Sequence, residues 1–359
     1  MNFKKAVISG YLCLDITSSL RGSTRVSPGR KGPIKIGQAA FNAGGVANLG
    51  LALHHLGVPT RLVGKVGDDP FGAVLIKDIK DNASSLVGGL IQDLSAPTAY
   101  NLKIGESLHY FPGANKSFYA SDLHRDILRE ADLFHFSCPA LMRSIYRGDG
   151  GELVSILQRV RREGLSTSLD FGLPDLHADD AGAVDWSLVL ANALPLADVF
   201  VADISQFFFL LKPDHYQQAA GDGRADVVDS VTPELLHEFS KTAMGYGVKI
   251  VMVNLGKQGL YLRTNGPQAW KKHGRGLSGL GEAWVDREIW AQAFEVGDRE
   301  DLNAYDNGVA GFLAGLLGDS DPETALKLAA AANASYNQGA LKSFWDSHPE
   351  IRRAMVASS

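Results

Sequence analysis

The sequence predicts an α/β fold in which a mostly parallel central sheet has helices on both faces and a small β-strand lid lies beside it. Short apolar stretches typical of strands alternate with stretches of helical periodicity, as in 131–137, 151–164 and 165–172. Residues 98–119 break this order, because apolar and polar residues alternate there as in a hairpin. We therefore expect this hairpin to lie outside the main sheet.

The composition is that of a globular protein with a sizeable core. The chain has 359 residues, of which 45% are hydrophobic and 21% charged. This length suits one large α/β domain or two ordinary ones, and we expect a single domain over residues 1–359. The formal net charge of −5 argues against a general nucleic-acid binder, so we expect no nucleic-acid partner.

The sequence also bears on the compartment. No apolar run approaches the roughly 20 residues of a membrane span, so we expect no membrane partner. Residues 1–15 include two lysines but no small-residue cleavage site, and they alternate like a first strand. Cys13 and Cys138 each lie in an apolar run, which predicts buried free thiols in a reducing compartment. A cytoplasmic protein is expected.

The first predicted strand covers residues 5–15 and ends at Asp15. The glycine fingerprint of dinucleotide-binding proteins is absent after it, because the sequence there reads GYLCLD. Open α/β sheets place ligand-binding groups at the carboxyl ends of their strands. From these residues alone, Asp15 could bind a ligand or merely cap a turn.

Residues 16–40 contain five basic residues and no acid, with glycine and proline interspersed. Such a run is usually a solvated face, but over a binding site its charge would suit an anionic ligand. We expect the lid to consist of about 16–40 and 98–119. An exposed lid strand could also pair with a second copy of the chain and form a homodimer.

Residues 43–57 predict a helix, because apolar residues recur there at helical spacing. Gly44 and Gly45 open this helix and permit close backbone approach of a ligand. Asn48 lies one turn further on.

The alternation of strands and helices continues in the second half of the chain. Two predicted strands end in acids, Asp170 and Asp203, at the position where ligands bind to open sheets. The stretch VKIVMVNLG has the strongest β pattern of the chain, and residues 258–264 are expected to form a hairpin with the region of Trp270.

A polar turn leads into a predicted buried helix within residues 297–317. From Asn307 onward the residues are small or apolar on more than one face, and Gly318 is a plausible end. The free N–H groups of the first helical turn attract anions. Asp306 lies in this turn; it could be a simple N-cap, the commoner function of such an acid, or a proton acceptor beside a bound phosphate.

Together these motifs resemble the PfkB carbohydrate kinases, a ribokinase-like family, over nearly the whole chain. Residues 41–72, FNAGGVANLGLALHHLGVPTRLVGKVGDDPFG, look like the family's first signature throughout. The second signature, D-T-T-G-A-G-D before a hydrophobic helix, is matched in part, since residues 300–306 read EDLNAYD and VAGFLAGLL follows Gly308. Residues 253–262, VNLGKQGLYL, are similar to the family's nucleotide-side strand and turn. The resemblance implies a ribokinase-like three-layer α/β/α sandwich.

The resemblance further implies ATP-dependent phosphorylation of a hydroxyl on a sugar or sugar-like molecule, with ATP and Mg²⁺ as cofactors. Asp306 would be the general base. The other implied sites are an anion hole at the backbone of Asn303, Ala304 and Tyr305; substrate-binding residues Asp15, Gly44, Gly45 and Asn48; and nucleotide-binding residues Asn254, Gly256 and Gly259.

Two departures from the family pattern support an alternative, a member that binds sugar or nucleotide but transfers phosphate weakly or not at all. Asn303 and Tyr305 bring side chains to a hole that the family builds with glycine. The family's magnesium-supporting Asn-x-x-Glu pair aligns with Asp203 and Gln206, which would act through water.

An active kinase is the leading hypothesis, and the missing glycine fingerprint disfavours a nicotinamide-dependent oxidoreductase. A neutral sugar or related polyol is the expected substrate, because a carboxylate such as Asp15 accepts hydrogen bonds from paired hydroxyls. The basic segment at residues 21–35 would instead suit an acid or a phosphate.

Overall fold

The computed structural model describes residues 3–19, 36–104, 107–178, 180–213, 216, 231–293 and 304–334. In chain order the strands are β1 (Ala6–Gly10), β2 (Leu12–Ser18), β3 (Ala40–Gly45), β4 (Thr60–Gly67), β5 (Leu90–Asp93), β6 (Tyr100–Ile104), β7 (Ser107–Phe111), β8 (Leu133–Ser137), β9 (Ser166–Asp170), β10 (Val199–Asp203), β11 (Ile250–Asn254), β12 (Leu260–Thr264) and β13 (Glu288–Ala291). The helices are α1 (Val46–His55), α2 (Pro70–Ala83), α3 (Arg125–Arg129), α4 (Arg143–Arg162), α5 (Trp186–Ala193), α6 (Ile204–Leu211), α7 (Pro233–Gly245), α8 (Ala304–Leu317) and α9 (Pro322–Asn333).

The main sheet has the strand order β13-β12-β11-β10-β9-β8-β1-β4-β5. All neighbours pair in parallel except β11 with β12 and β12 with β13, which are antiparallel. Alternate residues of one strand enter opposite cores: Val201 packs on one face of the sheet and Phe200 on the other. A parallel sheet with both faces covered reads as a continuous apolar run, as these strands do.

The helices form a layer on each face of this sheet. Helices α1, α2, α8 and α9 share one core with the sheet, and helices α3 to α7 share the other. The predicted three-layer α/β/α arrangement is therefore confirmed. No helix within the described ranges is both long and apolar enough to cross a membrane.

Helix α8 is as buried as its sequence predicts, with every residue from Asn307 to Leu317 shielded from solvent. Its glycines let α9 approach closely. A Cβ at Gly311 would lie 2.6 Å from the carbonyl oxygen of Leu328, and one at Gly315 would lie 2.7 Å from Cα of Ala325. Close packing against α9 thus fixes α8, and with it the position of its first turn.

The predicted lid is present as a second, four-stranded sheet with the order β3-β2-β6-β7. The hairpin expected within 98–119 is confirmed as β6 and β7. The rest of the lid differs from the expected bounds, because β2 and β3 supply it and residues 20–35, with the basic segment, lie outside the described residues.

The prediction of one strand over residues 5–15 is wrong. The chain leaves the main sheet after Gly10, whose backbone lies so close to β8 that a Cβ would be 2.0 Å from the Ser137 carbonyl oxygen. Tyr11 connects β1 of the main sheet to β2, which belongs to the lid sheet. Asp15 is consequently in the middle of a lid strand and not at the carboxyl end of a main-sheet strand.

The hairpin expected between residues 258–264 and the Trp270 region is also corrected. Strand β12 pairs with β11 and with β13, whereas Trp270 lies in a short 3-10 turn. The indole of Trp270 donates a hydrogen bond to the carbonyl of Asn265. That local bond favours a turn over an extended strand.

Candidate active site

Asp15 lies on the face of the lid sheet opposite the apolar residues of β2. Asn101 is its direct partner on β6 and donates a hydrogen bond of 2.8 Å from Nδ2 to Asp15 Oδ1. The thiol of Cys13 lies 3.5 Å from the same oxygen. Burial raises the pKa of Asp15 above its ordinary value, although the bonds from Asn101, Cys13 and Asn48 oppose that rise.

The two predicted glycines serve different purposes around this acid. A Cβ at Gly44 would lie 2.4 Å from Cγ of Asp15, so only glycine leaves room for the carboxylate. Gly45 has φ of 59°, and a Cβ there would lie 2.1 Å from the carbonyl oxygen of Tyr11. The positive φ and the close Tyr11 carbonyl thus explain why residue 45 is glycine. Contact of Gly45 with substrate stays a prediction.

Asp306 lies in the first turn of α8, and Asn48 of α1 connects it to the lid acid. Asn48 Nδ2 donates a hydrogen bond of 3.2 Å to Asp306 Oδ2, and the Asn48 side chain also bonds to Asp15. The structure thus brings together three predicted site residues that are distant in sequence. Asn303, the predicted start of the anion hole, lies outside the described residues, and Ala304 begins α8.

A second group of polar residues lies along the carboxyl ends of neighbouring main-sheet strands. Asp203 of β10 is paired with Asn254 of β11, and Val201, two residues before Asp203, is paired with Asp170 of β9. Residues two apart on a strand share a face, and Val201 packs in the core that contains α8. Asp170, Asp203 and Asn254 therefore lie on the α8 side of the sheet.

Tyr305 directs its side chain toward these acids, which its assignment to a backbone anion hole did not predict. Its hydroxyl is buried and lies beside the Asp170 carboxylate. Burial, followed by the charges of Asp170 and Asp203, holds the pKa of this phenol well above its ordinary value. The ring therefore occupies the space between the start of α8 and the sheet edge.

The two acids of this edge are strongly perturbed. Burial raises the pKa of Asp170 to about 7; a hydrogen bond from Ser137 opposes the rise, and the charge of Asp203 adds to it. Burial also raises the pKa of Asp203, against hydrogen bonds from Gln206 and Ser205. Such shifts in a cleft are typical of functional sites, although structural ion networks produce them too.

The predicted metal-supporting pair is close together. Asp203 caps α6, since its Oδ1 accepts a hydrogen bond of 2.9 Å from the backbone N–H of Gln206. Gln206 is 94% buried, and its Oε1 has no hydrogen-bond donor among the described residues. A carboxylate beside an unused amide oxygen is a donor set that suits Mg²⁺ held partly through water. No cluster of three or more histidine, cysteine, aspartate or glutamate side chains in the described ranges could hold a metal by itself.

The predicted nucleotide-side residues follow β11. Asn254 Oδ1 accepts a hydrogen bond of 2.9 Å from the backbone N–H of Gly256. Gly256 has φ of 57° and faces open space, whereas a Cβ at Gly259 would lie 2.0 Å from the carbonyl oxygen of Ala291. The close approach of β13 therefore explains why residue 259 is glycine. Contacts of Asn254, Gly256 and Gly259 with a nucleotide stay predictions.

Sequence reasoning missed Asn101, which bonds directly to Asp15. Its only sequence signal was a polar residue in the alternating lid strand, and the strand register that places it opposite Asp15 could not be known. Tyr11 extends the same network, since its hydroxyl lies 3.3 Å from Asn101 Oδ1. Cys13 and Cys138 are free thiols, as predicted, and both are close enough to Asp306 to feel its charge.

Comparison with known proteins places this chain in a family. The sequence model of the pfkB family carbohydrate kinases matches residues 11–272. Fructokinase-1 of Zea mays is 32% identical over 106 residues, which is 28% of this chain and 32% of that protein. The chain thus spans about a third of the length of this plant relative. A 5-dehydro-2-deoxygluconokinase of Geobacillus thermodenitrificans is 24% identical over 310 residues, or 81% of this chain and 77% of that protein.

Solved structures share the fold at low identity. Arabidopsis thaliana ribokinase, complexed with ribose and ATP, has a TM-score of 0.68 at 18% identity, covering 95% of this chain and 98% of that chain. Fructokinase with bound ATP from Xylella fastidiosa has a TM-score of 0.67 at 17% identity, covering 96% and 99%. These similarities confirm the ribokinase-like fold.

Proposed function

Because this chain belongs to the pfkB family of carbohydrate kinases, we propose that it transfers a phosphoryl group from ATP to a hydroxyl of a sugar or sugar-like molecule. The observation that carries the proposal is the hydrogen-bonded link from Asp15 through Asn48 to Asp306. An acid suited to bind hydroxyls and an acid suited to accept a proton are thereby connected by one side chain. The relatives named as sugar kinases, and the related structures with ATP bound, support the same activity.

In the proposed reaction Asp15 accepts hydrogen bonds from hydroxyls of the acceptor and orients it. Asp306 accepts the proton of the attacking hydroxyl. A carboxylate is a sufficient base, because the alcohol becomes strongly acidic only late in a loose phosphoryl-transfer transition state. The free N–H groups and the dipole of the first turn of α8 stabilise the charge on the transferring phosphoryl group.

Mg²⁺ is the proposed partner of the nucleotide. Asp203 and the unused Oε1 of Gln206 would hold it, in part through water. When bound, the ion neutralises charge on the phosphate oxygens and helps to align them.

A neutral sugar or related polyol is the proposed substrate class. The described partners of Asp15 are the neutral side chains of Asn48, Asn101 and Cys13. An acidic group on the acceptor would be repelled by Asp15, whereas paired hydroxyls can donate to it. A cytoplasmic location is proposed as well, and the two free thiols support it.

A homodimer formed through the lid is a further part of the proposal. In the lid sheet, Ile16 is paired with Phe41 and with Leu102, and Phe41 is 47% exposed. A second copy of the chain would cover this apolar face. Sedimentation of the full chain tests it: Phe41→Glu should convert a wild-type dimer to a monomer, and a monomeric wild type contradicts the proposal.

A second candidate function is binding of sugar or nucleotide with weak or no transfer. The Tyr305 side chain beside Asp170 and Asp203 favours it, because its ring takes space next to the helix start that would receive the phosphate. An ATP-consumption assay over neutral sugars, polyols, nucleosides and sugar acids, with calorimetric binding of the same compounds, separates the two. Turnover of any acceptor supports the kinase, and binding without turnover supports the second candidate.

A further inference from the structure

One side-chain amide lies between the two acids of the site. Asn48 is only 6% exposed, and its Nδ2 donates to Asp306 Oδ2 while the same side chain bonds to Asp15. An amide nitrogen carries two hydrogens that point in different directions. A single neutral group can therefore donate to both carboxylates at once, which no carboxylate or aliphatic side chain of similar size can do.

We propose that Asn48 is a positioning residue for the general base, beyond any contact it makes with the acceptor. It fixes the separation and relative orientation of Asp15 and Asp306, because its amide donates to both carboxylates. The proposal rests on the proposed function of Asp306 as base.

The physical reason lies in the charges. Two carboxylates that share a cleft repel each other, and each favours a proton on the other. A donor placed between them offsets part of this repulsion. Orientation matters equally, since a misplacement of about 1 Å can reduce the rate about 100-fold.

The lid is connected to the base through the same residue. Asn101 of β6 holds Asp15 Oδ1 at 2.8 Å, Asn48 bonds to Asp15 from α1, and Asn48 holds Asp306 of α8 at 3.2 Å. A displacement of β6 would therefore reach the base through two side chains. Asn48 thus couples the position of the lid to the geometry of proton transfer.

Two variants test this inference, with a matched control. Asn48→Ala removes the donor, and Asn48→Asp keeps the side-chain shape but replaces the N–H groups with a carboxylate. The control, Asn82→Ala, removes an Asn-to-Asp hydrogen bond of 3.3 Å on the exposed side of α2. Thermal unfolding identifies any variant that does not fold. If one of the two Asn48 variants fails to fold, the kinetics of the other test the inference.

The expected result is a fall in kcat of about 10- to 100-fold for Asn48→Ala, the loss expected for one hydrogen bond to a charged group. Asn48→Asp should lose more, and Asn82→Ala should match the wild type. The acid limb of the kcat profile should move to higher pH in Asn48→Ala, because the carboxylate loses a hydrogen-bond donor. A residue that only binds acceptor would raise KM and leave kcat and the acid limb in place, and that outcome overturns the inference.

The two thiols near Asp306 do not affect this readout. Among the described residues, the titratable groups near Asp306 are Asp15 and Cys13 of β2 and Cys138 after β8. Burial, together with nearby acids that include Asp306, raises the pKa of both thiols well above the ordinary value. Both thiols thus stay protonated throughout the range of the test.

A measurement without turnover separates the inference from the proposed function. A ¹³C-NMR titration follows the Asp306 carboxyl in the wild type and in Asn48→Ala, in the absence of acceptor and nucleotide. An upward move of its midpoint in the variant supports the inference, and an unchanged midpoint overturns it. Absence of turnover by the wild type with every acceptor would instead count against the kinase function alone.

Discussion

Asn101, on the third strand of the lid sheet, donates a hydrogen bond of 2.8 Å to Asp15 on the neighbouring strand. This bond holds the predicted acceptor-binding acid in place. We expect Asn101→Ala to weaken acceptor binding about 10- to 100-fold, since hydrogen bonds to charged groups contribute about 1.5–3 kcal/mol. Calorimetry with acceptor and with ATP tests this. Nucleotide affinity should not change, and equal loss of both affinities would indicate general damage to the fold.

Asp306→Asn should reduce turnover by about 10²–10⁴-fold, the usual contribution of a general base, while ligand binding stays nearly intact. The amide keeps the shape of the carboxylate but does not accept the proton. Single-turnover phosphate transfer measures the loss. The control, Asp81→Asn, changes an exposed acid of α2 that pairs with Lys77. A wild-type rate in Asp306→Asn would remove this residue from its proposed role.

Replacement of both Asn303 and Tyr305 by glycine should strengthen binding of ATP, if these side chains obstruct the phosphate. The position of the Tyr305 side chain beside Asp170 leads us to expect that Tyr305→Gly alone gives most of the gain. Titration calorimetry with ATP measures it. Tyr305→Phe keeps the ring and removes only the hydroxyl, so it should retain the wild-type affinity. Unchanged affinity in the double variant would show that the ring is no obstacle.

His135 should make the fold sensitive to acid. It is fully buried on β8, its Nδ1 lies 2.9 Å from Ser168 Oγ, and burial lowers its pKa to about 3. The unfolded chain takes up a proton near pH 6.5, so stability is complete above that pH and falls as the pH drops toward 3. Between pH 7 and pH 4.5 the loss should be about 2–3 kcal/mol.

Urea unfolding of His135→Asn tests this, because asparagine can keep a bond to Ser168 but has no proton to gain in this range. Between pH 7 and pH 4.5 the wild type should lose about 2–3 kcal/mol of unfolding free energy relative to the variant. Replacement of the exposed His273 should leave the pH dependence of the wild type in place. Parallel pH curves for wild type and His135→Asn would contradict the prediction.

The packing of α8 on α9 should tolerate no added side chain at Gly311. A Cβ there would lie 2.6 Å from the Leu328 carbonyl oxygen and 2.8 Å from Cβ of Ala332. Gly311→Ala should therefore destabilise the protein by about 1–3 kcal/mol, as overpacking does. In Gly245→Ala the new methyl group meets nothing within 4 Å, so the variant should be neutral or up to about 1 kcal/mol more stable. Thermal or urea unfolding compares the two, and equal stabilities would contradict the close approach of the helices.

Much of the fold could be predicted because local pattern and tertiary structure agree. The small and apolar residues after Asn307 indicate a helix buried on all sides, and α8 is such a helix. The apolar run ending at Asp203 likewise indicates a strand covered on both faces. In each case burial is encoded in the segment itself.

The features that escaped prediction depend on contacts between distant segments. The chain changes sheets at Tyr11 because Gly10 approaches Ser137, 127 residues later in the sequence. Asn101 faces Asp15 only through the register of β2 with β6. The direction of the Tyr305 ring depends on which strands lie opposite α8. No periodicity within a segment contains this information.

The passage of one continuous segment from β1 into β2 affects how the lid can open. Tyr11 is pinned on both sides, since its N–H donates to the Ser137 carbonyl and its own carbonyl accepts from the N–H of Val46. An opening movement must therefore pivot near Tyr11. Asp15 is four residues from this pivot and would be displaced little, whereas β7, at the far edge of the lid sheet, would be displaced most. The site would therefore open widest beside β7, while Asp15 would keep nearly the same position for binding an incoming molecule.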